Sequence, residues 1–425
     1  MPNDKEQNLN PEEEPEEKKY SFLQETIKSK PISRQQLTRQ LIRMAVYGVI
    51  LGAFACLGFF ALKPWIQDVF RGDLETVSIP EDEEPQEEQT SDEEIQEPAV
   101  VLDASSYEQM MESMNERAQE ARKGIAYIEP VAASENWNAR LTGISEGVTG
   151  VITADNGQEL LILADNSVCA DAREWTVTFQ DSSTYTATLK KRDTNSGLAV
   201  FSVPRGAVTD ATWAAIKVSV LGNSNVTKQG DVVMALGDMF GYADGMDYGI
   251  VSSTEYKDAI YDGECNVIST DIPADADGTG ILFNLEGEVI GMISPTVWDD
   301  RESSVVNAYA ISDMKSVIEM LANGDSVPYI GLYGTAVTNE LQETQAMPAG
   351  IYVVDVDPDS PAMEAGIQSG DIICQVAGED VTSIGTYQRA VLETETGDMV
   401  RLIGQRRGTD GYVEVNFTVT VGSKE

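Results

Sequence analysis

The sequence predicts a mainly β protein that is preceded by one helix crossing a membrane. From residue 124 onward the apolar runs are short and are separated by turn signals such as Asp-Asn-Gly and Glu-Gly. This pattern is typical of an all-β sandwich or barrel. From residue 326 a second, smaller unit follows, with strands and two short helical patterns. Before both units lies one run of 19 uncharged and mostly apolar residues.

The composition excludes several classes of function. The 425 residues include 29 Lys and Arg but 71 Asp and Glu, for a formal net charge of -42. Such a charge repels nucleic acid and anionic membrane surfaces. Because the chain contains no histidine, an imidazole base and a zinc site with a histidine ligand are both excluded. We predict neither a cofactor nor a metal.

The N-terminal region has the pattern of a membrane anchor. Residues 1–43 are polar and become basic towards residue 43, whereas residues 44–62 carry no charge. At 1.5 Å per residue, a helix over that run is about 28 Å long and spans the hydrocarbon core of a bilayer. Basic residues precede the span and acidic ones follow it, which places the N-terminus in the cytoplasm. We therefore predict a single-pass protein of the cell membrane with extracytoplasmic C-terminal domains.

Two segments connect the predicted anchor to the folded part of the chain. Residues 63–103 are rich in carboxylates and prolines, and their self-repulsion predicts a disordered spacer. Residues 104–123 show helical spacing of apolar side chains, which predicts an amphipathic helix that packs on the folded domain or on a partner copy. The apolar residues of this helix are Tyr107, Met110, Met111, Met114 and Ala118.

The cysteines do not indicate a disulfide framework, since a chain of this length contains four of them. Cys169, Cys265 and Cys374 lie in the predicted folded part, where we expect them to be small buried apolar residues. One bridge between them remains open, because the predicted compartment permits disulfides.

Five blocks of sequence resemble the HtrA/Deg family of trypsin-like serine proteases, with the family's order and spacing. The blocks are 147–172, 192–203, 221–237, 240–253 and 269–294. The resemblance implies a trypsin-like double β-barrel over residues 124–325, followed by a PDZ domain over residues 326–425. It also implies a site that, in the family, holds a catalytic serine, histidine and aspartate.

The residues that align with this catalytic triad cannot form one. Ser167 stands at the histidine position and Gly197 at the aspartate position. The nucleophile loop is one residue short, so either Gly278 or Thr279 stands at the serine position, depending on the side from which the loop is aligned. A hydroxyl needs a positioned base to act as a nucleophile, and neither Ser167 nor Gly197 supplies one.

A rebuilt catalytic site is not indicated elsewhere in the sequence. A Ser–Lys dyad is one known substitute for the triad, but nothing places Lys190 or Lys191 beside the shortened loop. Asp275 and Asp277 lie within that loop, and neighbouring carboxylates on a loop seldom face each other across a dry cleft. We interpret both as turn residues.

The C-terminal domain retains a candidate peptide-binding site. Residues 329–332 resemble the carboxylate-binding loop of the PDZ domains in this family, and residues 360–373 resemble the helix and strand that follow. Backbone N–H groups of such a loop hold the C-terminal carboxylate of a peptide. A helix near residues 384–392 would form the other wall of the groove. The candidate residues are Tyr329, Ile330, Gly331, Leu332, Tyr387 and Val391.

The sequence thus predicts an HtrA-like pseudoprotease that binds peptides or unfolded proteins, or regulates other proteins, in envelope protein quality control. Its partners would be protein C-termini or unfolded peptide segments. The resemblance also implies a homotrimer or a mixed oligomer with active HtrA-type proteases. Two alternatives remain open: a serine endopeptidase of this family with a non-standard active site, and an envelope scaffold that binds no peptide.

Overall fold

The structure is a computed structural model that describes residues 75–82, 104–131, 147–170, 172–297 and 304–425. The predicted cytoplasmic segment and membrane span, residues 1–62, lie outside these described residues. Within the described residues, no helix is both long enough and apolar enough to cross a membrane.

The first folded unit is a closed barrel of six antiparallel strands. The strands are β1 (Ile125–Pro130), β2 (Val148–Asp155), β3 (Glu159–Asp165), β4 (Trp175–Phe179), β5 (Thr184–Asp193) and β6 (Leu198–Pro204). Strands β2 and β3 are buried on both faces, which accounts for their nearly unbroken apolar sequence. Ile152 and Ile162 pack inside this barrel, whereas Val151 and Leu161 pack against the second barrel. The seam between the barrels therefore runs along these two strands.

The second unit is another closed six-stranded barrel. Its strands are β7 (Val232–Leu236), β8 (Met246–Ile260), β9 (Gly263–Pro273), β10 (Gly280–Phe283), β11 (Val289–Ile293) and β12 (Val305–Ala310). Strands β8 and β9 form the longest hairpin of this barrel, and residues 261–262 are its tip. This tip reaches the third unit, where it contacts residues 329–333.

The third unit is an antiparallel sheet of six strands. Its strands are β13 (Leu332–Ala336), β14 (Ile351–Val356), β15 (Ile372–Val376), β16 (Glu379–Asp380), β17 (Met399–Gly408) and β18 (Gly411–Thr420). The strand order is β13-β14-β15-β17-β18, with β16 paired to β15. The described α-helices are α1 (Ala104–Arg122), α2 (Asp210–Ala215), α3 (Lys315–Asn323), α4 (Asn339–Gln345), α5 (Pro361–Glu364) and α6 (Ile384–Leu392). The predicted class, a double barrel followed by a smaller β domain with short helices, is confirmed.

The spacer prediction is wrong for residues 75–82, which are docked on the folded part. The backbone N–H groups of Val77 and Ile79 donate to side chains of α3 at 3.0 and 2.7 Å. Both apolar side chains pack against the core between the barrels. Asp82 pairs with the buried Lys315 at 2.8 Å. These two apolar residues and one buried ion pair order a segment that its acidic composition marks as disordered. The rest of the predicted spacer lies outside the described residues.

Helix α1 packs on the folded part through its C-terminal half. Ala118 and Ala121 are buried, and the Arg117 guanidinium donates to a backbone carbonyl of the β10–β11 turn at 2.9 Å. Tyr107 and Met110 are 62% and 51% exposed. The N-terminal half of the predicted apolar face therefore points to solvent.

The three cysteines of the described residues are free thiols. Cys169 and Cys265 are buried in different barrels, and Cys374 is half-buried. Burial raises the pKa of Cys169 to about 11, which keeps its thiol protonated and unreactive at neutral pH.

Candidate functional site

The fold brings together Ser167 and Gly197, the two positions that align with the histidine and aspartate of the family's triad. Ser167 lies in a short 3-10 turn after β3, and Gly197 lies in the turn between β5 and β6. The N–H of Asn166 donates to the carbonyl of Gly197 at 2.9 Å. Gly197 has a φ of 74°, a left-handed conformation that glycine adopts without strain. The backbone thus keeps the two turns adjacent, while neither residue contributes a base or an orienting carboxylate.

The hydroxyl nearest the nucleophile position is turned into the seam between the barrels. Thr279 is 5% exposed, and its Oγ1 accepts a hydrogen bond from the N–H of Thr149 at 2.9 Å. The hydroxyl of Thr149 in turn accepts from the N–H of Asp238 at 2.8 Å. Thr279 therefore holds two barrels together and presents no hydroxyl to a substrate.

The alternative nucleophile position, Gly278, has no room for a side chain. A Cβ atom at this position would lie 2.9 Å from the carbonyl oxygen of Met239 and 3.0 Å from that of Asp275. The N–H of Gly278 donates to the carbonyl of Asp275 at 3.0 Å, which closes a tight turn. Both alignments of the shortened loop therefore lead to a position without a usable nucleophile.

We call the region of Ser167, Gly197, Gly278 and Thr279 the emptied cleft. One acidic side chain, that of Asp238, lies beside the nucleophile loop. The Oδ2 of Asp238 accepts from the hydroxyl of Tyr127 at 3.3 Å, whereas its Oδ1 is buried and has no hydrogen-bond partner among the described residues. Burial raises the pKa of Asp238, and the nearby charge of Asp275 raises it further. A carboxyl group can move a proton, but the residues around it supply no nucleophile for it to activate.

The lysines considered for a dyad are engaged elsewhere. Lys190 Nζ lies 2.5 Å from Glu159, and Lys191 Nζ lies 2.6 Å from Glu425. Asp275 and Asp277 are exposed loop residues. No Ser–Lys pair is formed by these side chains.

The predicted carboxylate-binding loop, residues 329–332, holds a carboxylate in this structure. It belongs to Asp262, at the tip of the β8–β9 hairpin. The N–H groups of Ile330 and Gly331 each donate to Oδ2 of Asp262 at 2.6 Å, and the N–H of Leu332 donates to Oδ1 at 2.9 Å. The hydroxyl of Tyr387 donates to the same Oδ1 at 2.6 Å. Four donors from the C-terminal domain therefore converge on one side chain of the second barrel.

The backbone of Asp262 also joins the loop. Its N–H donates to the carbonyl of Leu332 at 2.7 Å, and its φ is 59°, which is uncommon for a residue other than glycine. Burial raises the pKa of Asp262, although the four hydrogen bonds to its carboxylate oppose that rise. Asp262 therefore binds the loop in two ways. Its backbone N–H pairs with the end of β13, as one residue of an added strand would, and its carboxylate accepts hydrogen bonds from the loop N–H groups.

Tyr387 and Val391 lie on α6 as predicted, but neither lines an open groove. Each is 1% exposed and belongs to the core of the third unit. The Tyr387 ring is core, while its hydroxyl reaches the carboxylate of Asp262. Val391 acts in packing alone.

Further contacts hold the hairpin tip against the C-terminal domain. The ring of Tyr261 lies edge-on to those of Tyr329 and Tyr333, with centroids 6.4 and 6.0 Å apart. The ammonium of Lys424 lies 5.0 Å from the Tyr261 centroid, and the side-chain amide of Asn195 donates to the Tyr261 carbonyl at 2.7 Å. The tip is therefore held from both the C-terminal domain and the turn that carries Gly197.

Sequence reasoning missed Asp262. The tripeptide Tyr261-Asp262-Gly263 has the Asp-Gly signal of a hairpin turn, which explains its presence without any ligand role. The residues that it meets lie 68 to 125 positions further along the chain. A local pattern carries no information about such a contact.

Comparisons with known proteins agree with this architecture. Residues 148–292 match a trypsin-like peptidase domain, and residues 352–406 match a PDZ domain. The chain is 30% identical over 282 residues to a probable periplasmic serine endoprotease, DegP-like, of Halomonas elongata, covering 64% of this chain and 56% of that protein. It is 27% identical over 289 residues to the serine protease Do-like HtrB of Bacillus subtilis, covering 64% and 62%. The chain therefore spans less than two thirds of each of these relatives.

Solved structures show the same fold. The serine endoprotease from Yersinia pestis superimposes with a TM-score of 0.50 at 25% identity, over 73% of this chain and 98% of that chain. The HtrA-type protease AlgW with tripeptide gives a TM-score of 0.51 at 22% identity, over 73% and 97%. The second likeness concerns the fold alone.

Proposed function

We propose that this chain, which is an HtrA/Deg-like protein with a trypsin-fold domain and a PDZ domain, is a pseudoprotease that binds peptide chains without cleaving them. The state of the nucleophile position carries the proposal. Thr279 is buried and hydrogen-bonded to Thr149, Gly278 has no side chain, and the whole chain lacks histidine.

The chemistry of acyl transfer supports this proposal. A serine or threonine hydroxyl is a poor nucleophile until a base within hydrogen-bond reach removes its proton. The same base must then return a proton to the leaving amine. The hydroxyl of Ser167 cannot accept a proton at neutral pH, and Gly197 cannot orient a base. All three roles of the triad are therefore vacant.

The binding function is proposed for the PDZ domain. Three consecutive backbone N–H groups directed at one point suit a carboxylate, and the contact with Asp262 supports their capacity to bind one. The proposed partners are protein C-termini or unfolded peptide segments. A homotrimer, or a mixed oligomer with active HtrA-type proteases, is the proposed assembly.

The proposed location is the cell envelope. One relative is named a periplasmic protease, and the 19-residue uncharged run at residues 44–62 has the length of a membrane span. We propose a single-pass membrane protein with both folded domains outside the cytoplasm. Its proposed role there is protein quality control, as a binding or regulatory module.

A peptidase assay on the full-length protein in detergent tests the absence of catalysis. Unfolded casein serves as the substrate, a serine-reactive fluorophosphonate as the active-site probe, and the Bacillus subtilis HtrB as the reference protease. We expect no casein cleavage above the buffer rate and no covalent labelling, because no activated hydroxyl is available.

Thr279→Ala decides between the proposal and the enzymatic alternative. Casein cleavage by the wild type that is lost in Thr279→Ala, at an unchanged unfolding temperature, would establish an endopeptidase with a non-standard site. Cleavage that persists in Thr279→Ala at the wild-type rate would indicate a contaminating protease. The scaffold alternative would be favoured if the protein neither cleaved casein nor bound peptides with free C-termini.

A further inference from the structure

The carboxylate of Asp262 occupies the place in the PDZ loop that a peptide C-terminus would need. Its two oxygens receive the N–H groups of Ile330, Gly331 and Leu332 at 2.6 to 2.9 Å. Asp262 is 6% exposed, so a second carboxylate cannot enter while this one remains. Its backbone N–H donates to the Leu332 carbonyl at 2.7 Å, the bond that strand addition by a peptide would use.

We propose that Asp262 is an intramolecular ligand of the PDZ loop, and that a protein C-terminus binds by displacing it. The inference rests on the proposed peptide-binding function and adds how that site is regulated. The internal ligand is a side-chain carboxylate, and the incoming one is a terminal carboxylate of the same charge and shape. Exchange therefore leaves no loop donor unsatisfied at its end points, whereas an empty loop would carry the cost of buried unpaired N–H groups.

The position of Asp262 at the tip of a hairpin suits an exchangeable ligand. Asp262 reaches the loop from a two-residue tip, residues 261–262, between two strands. The ring of Tyr261 meets Tyr333 at the entrance, beside a groove of about 600 Å³ lined in part by Asn195, Asp355 and Lys424. Withdrawal of the tip would break the contacts of Tyr261 and Asp262, together with the hydrogen bond from the N–H of Glu264 to the side chain of Gln388 at 3.4 Å.

Competition between Asp262 and a peptide C-terminus should weaken the apparent affinity of the loop for the peptide. When the binding-competent state is a fraction of the population, the apparent dissociation constant rises by the inverse of that fraction. Removal of the Asp262 carboxylate should therefore tighten binding of any peptide that uses the loop. The gain should require a free C-terminus, because an amidated terminus has no carboxylate to offer.

The test measures binding by fluorescence anisotropy with the full-length protein in detergent. The probe is a labelled decapeptide pool with four randomised C-terminal residues and a free carboxylate, and the comparison pool is amidated. Two variants remove the internal ligand: Asp262→Ala deletes the carboxylate, and Asp262→Asn keeps the side-chain volume but directs an NH₂ group at the N–H donors. Glu255→Ala on the same hairpin, an exposed residue, is the charge-matched control.

We expect both Asp262 variants to lower the apparent dissociation constant for the free-acid pool at least tenfold. Glu255→Ala should match the wild type, and the amidated pool should bind none of the proteins. Equal binding of the free-acid pool by wild type and both Asp262 variants would overturn the inference while leaving peptide binding as the function.

Hydrogen exchange at the amides of Ile330, Gly331 and Leu332 separates the two claims. We expect protection in the wild type that is lost in Asp262→Ala. Unprotected amides in the wild type would overturn the inference directly. Loss of protection in Asp262→Ala, without binding of the free-acid pool by any variant, would overturn peptide binding and displacement, and would leave Asp262 as a lock of the loop.

Discussion

The emptied cleft and the PDZ loop differ in which part of a functional site each retains. In the cleft, the backbone keeps Ser167 and Gly197 on adjacent turns, but neither residue supplies a base or an orienting carboxylate. In the loop, all three N–H donors are present and aimed at one point, but the carboxylate of Asp262 occupies them. The first site keeps the backbone arrangement without the side chains of a triad, whereas the second keeps its N–H donors with the Asp262 carboxylate bound to them.

This difference bears on reversibility. A missing base and an obstructed nucleophile position can be restored only by changes to the covalent structure. An occupied set of donors can be freed by a competing ligand at equilibrium. We therefore expect substitutions at the loop to change binding strongly, and substitutions in the cleft to change stability without producing activity.

Gly331→Val should have the largest effect on the loop. A Cβ at Gly331 would lie 2.4 Å from the Cβ of Ser360, and the φ of Gly331 is 92°. Overpacking and a left-handed backbone together should lower the free energy of unfolding by about 3 kcal/mol and abolish binding of the free-acid peptide pool. Circular dichroism during thermal unfolding measures the first effect, and anisotropy measures the second.

Gly366→Val is the matched control, since Gly366 has a φ of 82° but no neighbour within 4 Å of its Cβ position. It should cost about 1.5 kcal/mol from backbone strain alone and retain the wild-type response to peptide. Equal losses of stability in the two variants would show that crowding against Ser360 adds nothing to the cost of backbone strain in Gly331→Val.

A restored triad should remain inactive and lose stability. In the combined variant Ser167→His, Gly197→Asp, Gly278→Ser, the new serine side chain would meet the carbonyl oxygen of Met239 at 2.9 Å. Overpacking at that position should cost about 2 kcal/mol and displace the hydroxyl from the histidine. Casein turnover and thermal unfolding are the measurements.

Gly206→Ser controls for the serine substitution, because a Cβ at Gly206 meets no atom within 4 Å. It should leave the unfolding temperature unchanged. Casein turnover by the combined variant would contradict the expectation, and would show that the shortened loop still positions a nucleophile.

Tyr387→Phe should have the smallest effect and act in the opposite direction on binding. It removes one of the four donors to Asp262 and keeps the buried ring. Loss of one hydrogen bond weakens the internal contact by about 1 kcal/mol, which should tighten peptide binding about fivefold. Anisotropy with the free-acid pool measures the change.

Tyr352→Phe, on β14 of the same domain, is the control for Tyr387→Phe and should bind as the wild type does. Weaker binding by Tyr387→Phe than by the wild type would mean that the hydroxyl serves an incoming peptide more than it serves Asp262.

Much of the architecture follows from the sequence because strands and turns leave local marks. The apolar runs of β2 and β3 and the Asp-Asn-Gly turn between them predict a hairpin, and such hairpins form both barrels. That the triad is incomplete can also be inferred from the sequence alone, because the chain contains no histidine. Whether Gly278 or Thr279 replaces the nucleophile is not readable, because the loop is one residue short. The structure shows that one is obstructed and the other is buried.

Two features could not be predicted from the sequence because they depend on tertiary contacts. Composition marks residues 75–82 as a spacer, yet Val77 and Ile79 find apolar surface beside α3. The role of Asp262 arises from a hairpin tip that meets a loop 68 positions later. In both cases the signal lies in the partner surface and not in the segment itself.

The residence of Asp262 in the PDZ loop sets a threshold for any outside ligand. A tethered group competes at an effective concentration of roughly millimolar when its linkage is short, and the hairpin holds Asp262 in place. A dilute peptide that binds the bare loop well would therefore leave most copies closed. The loop should respond when many chain ends are presented close together, as on an aggregated or membrane-crowded protein, and should ignore the scattered termini of properly folded ones.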